Sequence, residues 1–140
     1  MRTRRGKAPP PTVGAARALL AKARTELAKD TRQAAEKGWL AAVTAARAML
    51  RRGGHDGWKR LSRVAENLAA LEEDRKMSSQ TSEDVGVLAR ELHGSAFYSG
   101  DPNYTDRAVV EANFKIVERV IRDAEAFCRL HRYTGNREAT

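Results

Sequence analysis

Between residues 109 and 128 two apolar seams run side by side. Val110, Phe114, Val117, Ile121, Ala124 and Cys128 recur at steps of three and four, and Val109, Ala112, Ile116, Val120 and Phe127 trace a second line next to them. Only an α-helix gathers such positions on one side. A helix apolar over so wide an arc needs two neighbours, so it is expected at the centre of a bundle or against a second copy of the chain. No run of four to eight residues alternates, or is rich enough in β-branched and aromatic side chains, to compete as a strand. The expected fold class is all-α, an antiparallel up-and-down bundle of about five helices.

Four other segments carry the helical period. Ala16, Leu19, Leu20, Ala23 and Leu27 mark a first helix from Val13 to about Lys29, with Arg17, Lys22 and Arg24 between them. Asp30 is placed to cap a second, in which Ala35, Trp39, Ala42, Ala46 and Met49 repeat until Gly53-Gly54 stops it. Trp58, Leu61, Ala65, Leu68 and Leu71 read as a third helix, ending among Glu72, Glu73 and Asp74, an acidic cluster that opposes the helix dipole. Ser82 is the expected cap of a fourth, through Val85, Leu88, Leu92 and Ala96, and Thr105 or Asp106 the cap of the fifth, after the break at Gly100-Asp101-Pro102.

Charge is divided unevenly. The 140 residues hold 26 Lys and Arg against 18 Asp and Glu, a net +8. Residues 1–32 alone contain nine basic and two acidic side chains, +7, which leaves +1 for the remaining 108. Residues 1–12 are basic and Pro-rich with almost no large apolar side chain, so they are expected to form a disordered arm. The bundle is assigned to 13–134 and a frayed end to 135–140. The single cysteine, Cys128, has no intrachain partner, and no apolar run approaches the roughly 20 residues of a membrane span. Arg4-Arg5 is followed by Pro9-Pro10-Pro11 where a twin-arginine signal would turn apolar. A cytoplasmic protein with no membrane association is expected.

The segment Ala34-Ala35-Glu36-Lys37-Gly38-Trp39 at the head of an Ala-rich helix, then Gly54-His55 in a loop, then Leu92-His93-Gly94-Ser95-Ala96-Phe97-Tyr98, resembles the HEPN-like proteins of the archaeal repeat-associated PaREP group. The likeness spans roughly residues 15–125. It implies an up-and-down helical bundle and frequent homodimers. It also implies a superfamily of ribonucleases and of partners of nucleotidyltransferases in toxin–antitoxin pairs. The ribonucleases of that superfamily carry an Arg five to seven positions before a His. Here His55 follows Arg51, Arg52 and Arg47 by four, three and eight, His93 follows Arg90 by three, and His131 follows Arg129 and Arg122 by two and nine, so the motif is missing.

Three sets of residues are candidates for chemistry. Arg90 and His93, three apart on one helix face, form the candidate catalytic pair: an imidazole beside a guanidinium can orient and protonate a phosphodiester. The plainer reading has His93 bonded across the bundle and Tyr98 packing the helix end. Glu36, Lys37, His55 and Tyr98 are supporting residues, with Glu36 able to reach His93 from a facing helix. Arg2, Arg4, Arg5 and Lys7 of the arm, with Arg51, Arg52, Lys59 and Arg60 around the Gly53-Gly54 turn, make a candidate surface for RNA or a nucleotide. Trp58 is placed either to stack a base or to fill the core. No Glu-x-x-His step, Cys-x-x-Cys pair, Gly-rich phosphate loop or nucleophile elbow occurs, so neither metal nor cofactor is expected. Three functions follow: an RNA- or nucleotide-binding bundle, a noncatalytic partner of a nucleotidyltransferase, or a divergent ribonuclease.

Overall fold

Two side chains that compete with the helical backbone start the first two helices. In a computed structural model, which describes residues 10–139 and the side chains of 10–131, Thr12 Oγ1 accepts from the N–H of Ala15 at 3.0 Å and opens α1 (Val13–Glu26). Asp30 Oδ1 accepts from the N–H groups of Arg32 and Gln33, both at 3.1 Å, and opens α2 (Thr31–Arg52). Such caps satisfy donors that the first turn leaves without partners. Gly53 ends α2, and Gly54, at φ 78°, takes the left-handed turn that follows. Next come α3 (Val64–Asp74), α4 (Gln80–Leu88), the single turn α5 (Pro102–Thr105) and α6 (Arg107–Ala139). Asp106 Oδ2 accepts from Ala108 N–H at 3.2 Å at the entry to α6. No strand occurs among the described residues, and the fold is an all-α bundle.

The centre of the bundle is α2, not the long last helix. Ala34, Ala35, Ala41, Ala42, Ala45, Ala46, Met49 and Leu50 of α2 are fully buried, and α1, α3, α4 and α6 all pack on it. Methyl-sized side chains let several neighbours approach one rod, which periodicity of large apolar residues does not reveal. On α6, Val110, Phe114, Val117, Ile121 and Ala124 of the first seam are buried, but Cys128 is only half-buried. The second seam is incomplete: Val120 and Phe127 are buried, Ile116 packs partly, and Ala112 is exposed while Asn113 is buried in its place. Within the chain α6 meets α1, α2 and α4, more than the two neighbours that its seams require.

Two further expectations are corrected. Trp58 and Leu61 are not on α3. Trp58 lies in a short 3₁₀ turn (Asp56–Lys59), held by His55 Nδ1 accepting from Gly57 N–H at 2.9 Å. Leu61 is 60% exposed, and α3 begins only after Arg63, whose φ of 58° is left-handed. The apparent seam from residue 58 therefore spans two elements. Ser82 does not cap α4. It is buried inside the helix and donates from Oγ (2.5 Å) and N–H (3.0 Å) to the carboxylate of Glu72, which is 1% exposed. Glu72 thus leaves the acidic cluster and ties the end of α3 to the start of α4.

Beyond Leu88 the helix widens. Ala89–Tyr98 forms a π-helix, and Ser99 N–H still reaches five residues back to Gly94 O at 2.9 Å. This segment packs on α2 and carries His93.

Candidate functional site

The wide turn settles which partner His93 meets. Three residues subtend about 300° in an α-helix but roughly 245° in the π turn, so Arg90 and His93 do not share a face. Arg90 is exposed, and no hydrogen bond joins it to His93 among the described residues. Instead His93 Nδ1 lies 2.9 Å from Glu36 Oε1 on α2, with side-chain exposures of 35% and 22%. A carboxylate only accepts, so Nδ1 donates and the bond fixes the ring, leaving Nε2 for another partner. Trp39, one turn along α2 from Glu36 and half-buried, stacks on the imidazole at 5.5 Å, and Tyr98 meets it edge-on at 4.9 Å. Arg32, in the first turn of α2, donates to Phe97 O at 2.6 and 3.1 Å and to Tyr98 O at 3.1 Å, holding the end of the π segment.

This pair is an oriented imidazole with one nitrogen uncommitted. It can hold or exchange a proton at Nε2, but among the described residues no Lys or Arg is hydrogen-bonded or ion-paired to it to steady a developing phosphorane. Lys37 faces the other way, into a shallow groove with Lys22 and Glu26 of α1. No cluster of three or more metal-ligating side chains exists among the described residues.

The second candidate region is the far end of α2. Arg51, in its last turn, lies over the Trp58 ring at 5.4 Å, and Arg52 Nη1 donates to Cys128 O on α6 at 3.3 Å. Arg47 Nε donates to Trp58 O at 2.6 Å, and burial lowers its pKa from the ordinary guanidinium value. Trp58 and Arg47 are therefore occupied with the turn, and His55 with capping it, whereas Lys59 and Arg60 are exposed.

Because the α1–α2 connection is short, the start of α1 returns to the end of α2. There a cleft of about 500 Å³ opens, and Arg17, Arg51, Arg52, Glu125, Cys128 and Arg129 line it beside Pro11, Thr12 and Gly14. Sequence reasoning missed Arg17 and Arg129, which reach the site only through packing; the short connection between the first two helices was the one available signal. Burial raises the Cys128 pKa, against a weaker pull from Arg52, the direction opposite to that of an activated thiol. Arg2, Arg4, Arg5 and Lys7 lie outside the described residues, but the arm's root, at the buried Pro11, is on the lip of this cleft.

No described helix is long and apolar enough to cross a membrane. No family model, curated protein or solved structure matches the chain.

Proposed function

We propose that this protein is a helical RNA-binding module that grips the phosphate backbone at the basic end of its bundle. The observation that carries the proposal is convergence. The root of the basic arm, Arg51 and Arg52 at the end of α2, and Arg17 and Arg129 meet around one cleft, with the exposed Lys59 and Arg60 on the adjoining turn. Basic residues scattered over a solvated surface lack this focus, and a cleft in which positive charge predominates, here four arginines to one glutamate, concentrates counter-ions. Residues 1–9 precede Pro10, and nine extended residues span about 30 Å, so arm and cleft can engage successive phosphates of one strand.

The test is RNA retention across a salt series with the intact chain and with residues 1–9 removed. Pro11 is buried and Thr12 caps α1, so the truncation stops before them. Retention should weaken linearly in log salt, and removing four basic side chains should flatten the slope by about 3. Retention unchanged by both salt and truncation would refute the reading.

A second reading, a divergent ribonuclease, is favoured by the Glu36–His93 bond, in which the carboxylate orients the imidazole as a general base requires.

A further inference from the structure

The cleft at the basic end contains one acid among its arginines. Glu125 of α6 bonds Arg17 of α1 at 2.7 Å, and both side chains are nearly half exposed. The same two helices repeat the arrangement outside the cleft, where Arg24 meets Glu118 at 3.0 Å. Moving seven residues forward on α1 moves seven back on α6, so the pairs are equivalent rungs between helices of opposite direction. Exposed pairs of this kind contribute little to stability. The rung inside the cleft differs in its surroundings, because Arg51, Arg52 and Arg129 line the same space.

We propose that this cleft is a phosphate site for the RNA backbone and that Glu125 is its resident competitor, displaced from Arg17 when a phosphodiester enters. The proposal rests on the RNA-binding reading above. A phosphodiester offers the same paired anionic oxygens as a carboxylate, and a guanidinium fork binds either. Four guanidinium groups against one carboxylate leave an excess of positive charge around a space of about 500 Å³. When the phosphate takes the place of Glu125, Arg17 turns to the ligand in a space that Arg51, Arg52 and Arg129 also line, and only one exposed ion pair is lost. Glu125 therefore lowers affinity without closing the site, and it favours a ligand with several phosphates over a lone anion, because only the former makes enough contacts to displace it.

The experiment compares full-length wild type, Glu125→Gln and Glu118→Gln by fluorescence anisotropy with labelled oligouridine RNA in stepped salt. Glu125→Gln should tighten binding about five- to tenfold, the effect of removing one nearby charge under partial screening. Its salt slope should match wild type, because the same phosphates are neutralised. Glu118→Gln makes the same charge change on the next rung and should move affinity less than about twofold. Equal tightening by both variants would reduce the effect to net charge. A steeper slope for Glu125→Gln would mean that Arg17 stayed paired in the wild-type complex. Either result, or no change in Glu125→Gln, overturns the competitor while leaving RNA binding intact. Wild type that shows no salt-dependent binding overturns the RNA reading and the phosphate site together.

Discussion

Gly38 and Gly86 both sit inside helices, and the structure assigns the same substitution opposite signs at the two positions. In an exposed helix, Gly→Ala gains about 1 kcal/mol from the backbone entropy that glycine forfeits. At Gly86 a new methyl meets nothing within 4 Å, so Gly86→Ala should realise about 0.5–1 kcal/mol of that gain. At Gly38 the methyl would lie 3.0 Å from Phe114 Cδ1 and 3.3 Å from Cζ, and closer still to Cε1. The Phe114 ring is fully buried on α6 and has no free side to retreat into. Overpacking costs about 1–3 kcal/mol and occasionally more; with most of one ring edge in collision the upper figure applies. The balance for Gly38→Ala is a loss of about 2 kcal/mol, or roughly 5–8 °C in melting temperature for a chain of this size. Urea and thermal unfolding followed by far-ultraviolet circular dichroism measure both variants. Adding Phe114→Leu to Gly38→Ala should recover at least about 1 kcal/mol relative to the sum of the single changes. A Gly38→Ala protein as stable as Gly86→Ala, or strict additivity with Phe114→Leu, would refute the claim that α2 and α6 touch through this glycine.

His93→Ala removes the ring stacked on Trp39 and the donor to Glu36, and should cost about 1–2 kcal/mol while RNA retention stays within about twofold. An RNA-cleaving activity lost in that variant at unchanged melting temperature would instead assign chemistry to the pair. The hydrogen bond and charge of Arg24 hold Glu118 below the ordinary carboxylate value of 4.5. Its folded-state pKa lies below its unfolded one, so its contribution is fully present above the unfolded value and is lost as pH falls through the folded value. Arg24→Ala should therefore lose less melting temperature than wild type over that acid range, and a parallel decline would show that the pair is not the cause.

Elements that depend on local chemistry were legible in the sequence. Asp30 caps α2, Gly53 ends it and Asp106 sits at the entry to α6 as expected, because each acts on the backbone within three residues. The first seam of α6 was also legible, its large side chains repeating for five turns. The boundary before α3 was not, because Trp58 and Leu61 fall by coincidence in step with Ala65 and Leu68. The π segment left a faint mark: Leu88, Leu92 and Ala96 follow one another by four, where an α-helix drifts back to three. That widening turned His93 away from Arg90 and onto Glu36. The basic turn was visible as a local run of charge, whereas Arg17 and Arg129 join it only in the packed bundle.

The alanine face of α2 also governs how mutational data on this protein read. At positions 34, 35, 41, 42, 45 and 46 the native residue is already the one that a scan introduces, so alanine scanning is silent along this face and registers the buried side of α2 through Val43, Met49 and Leu50. It would therefore understate α2 relative to α6. Yet α2 carries Glu36 near one end and Arg51 and Arg52 at the other, so both candidate sites are mounted on one shaft. Valine or leucine placed along its middle should disturb the two sites together, although neither site is touched.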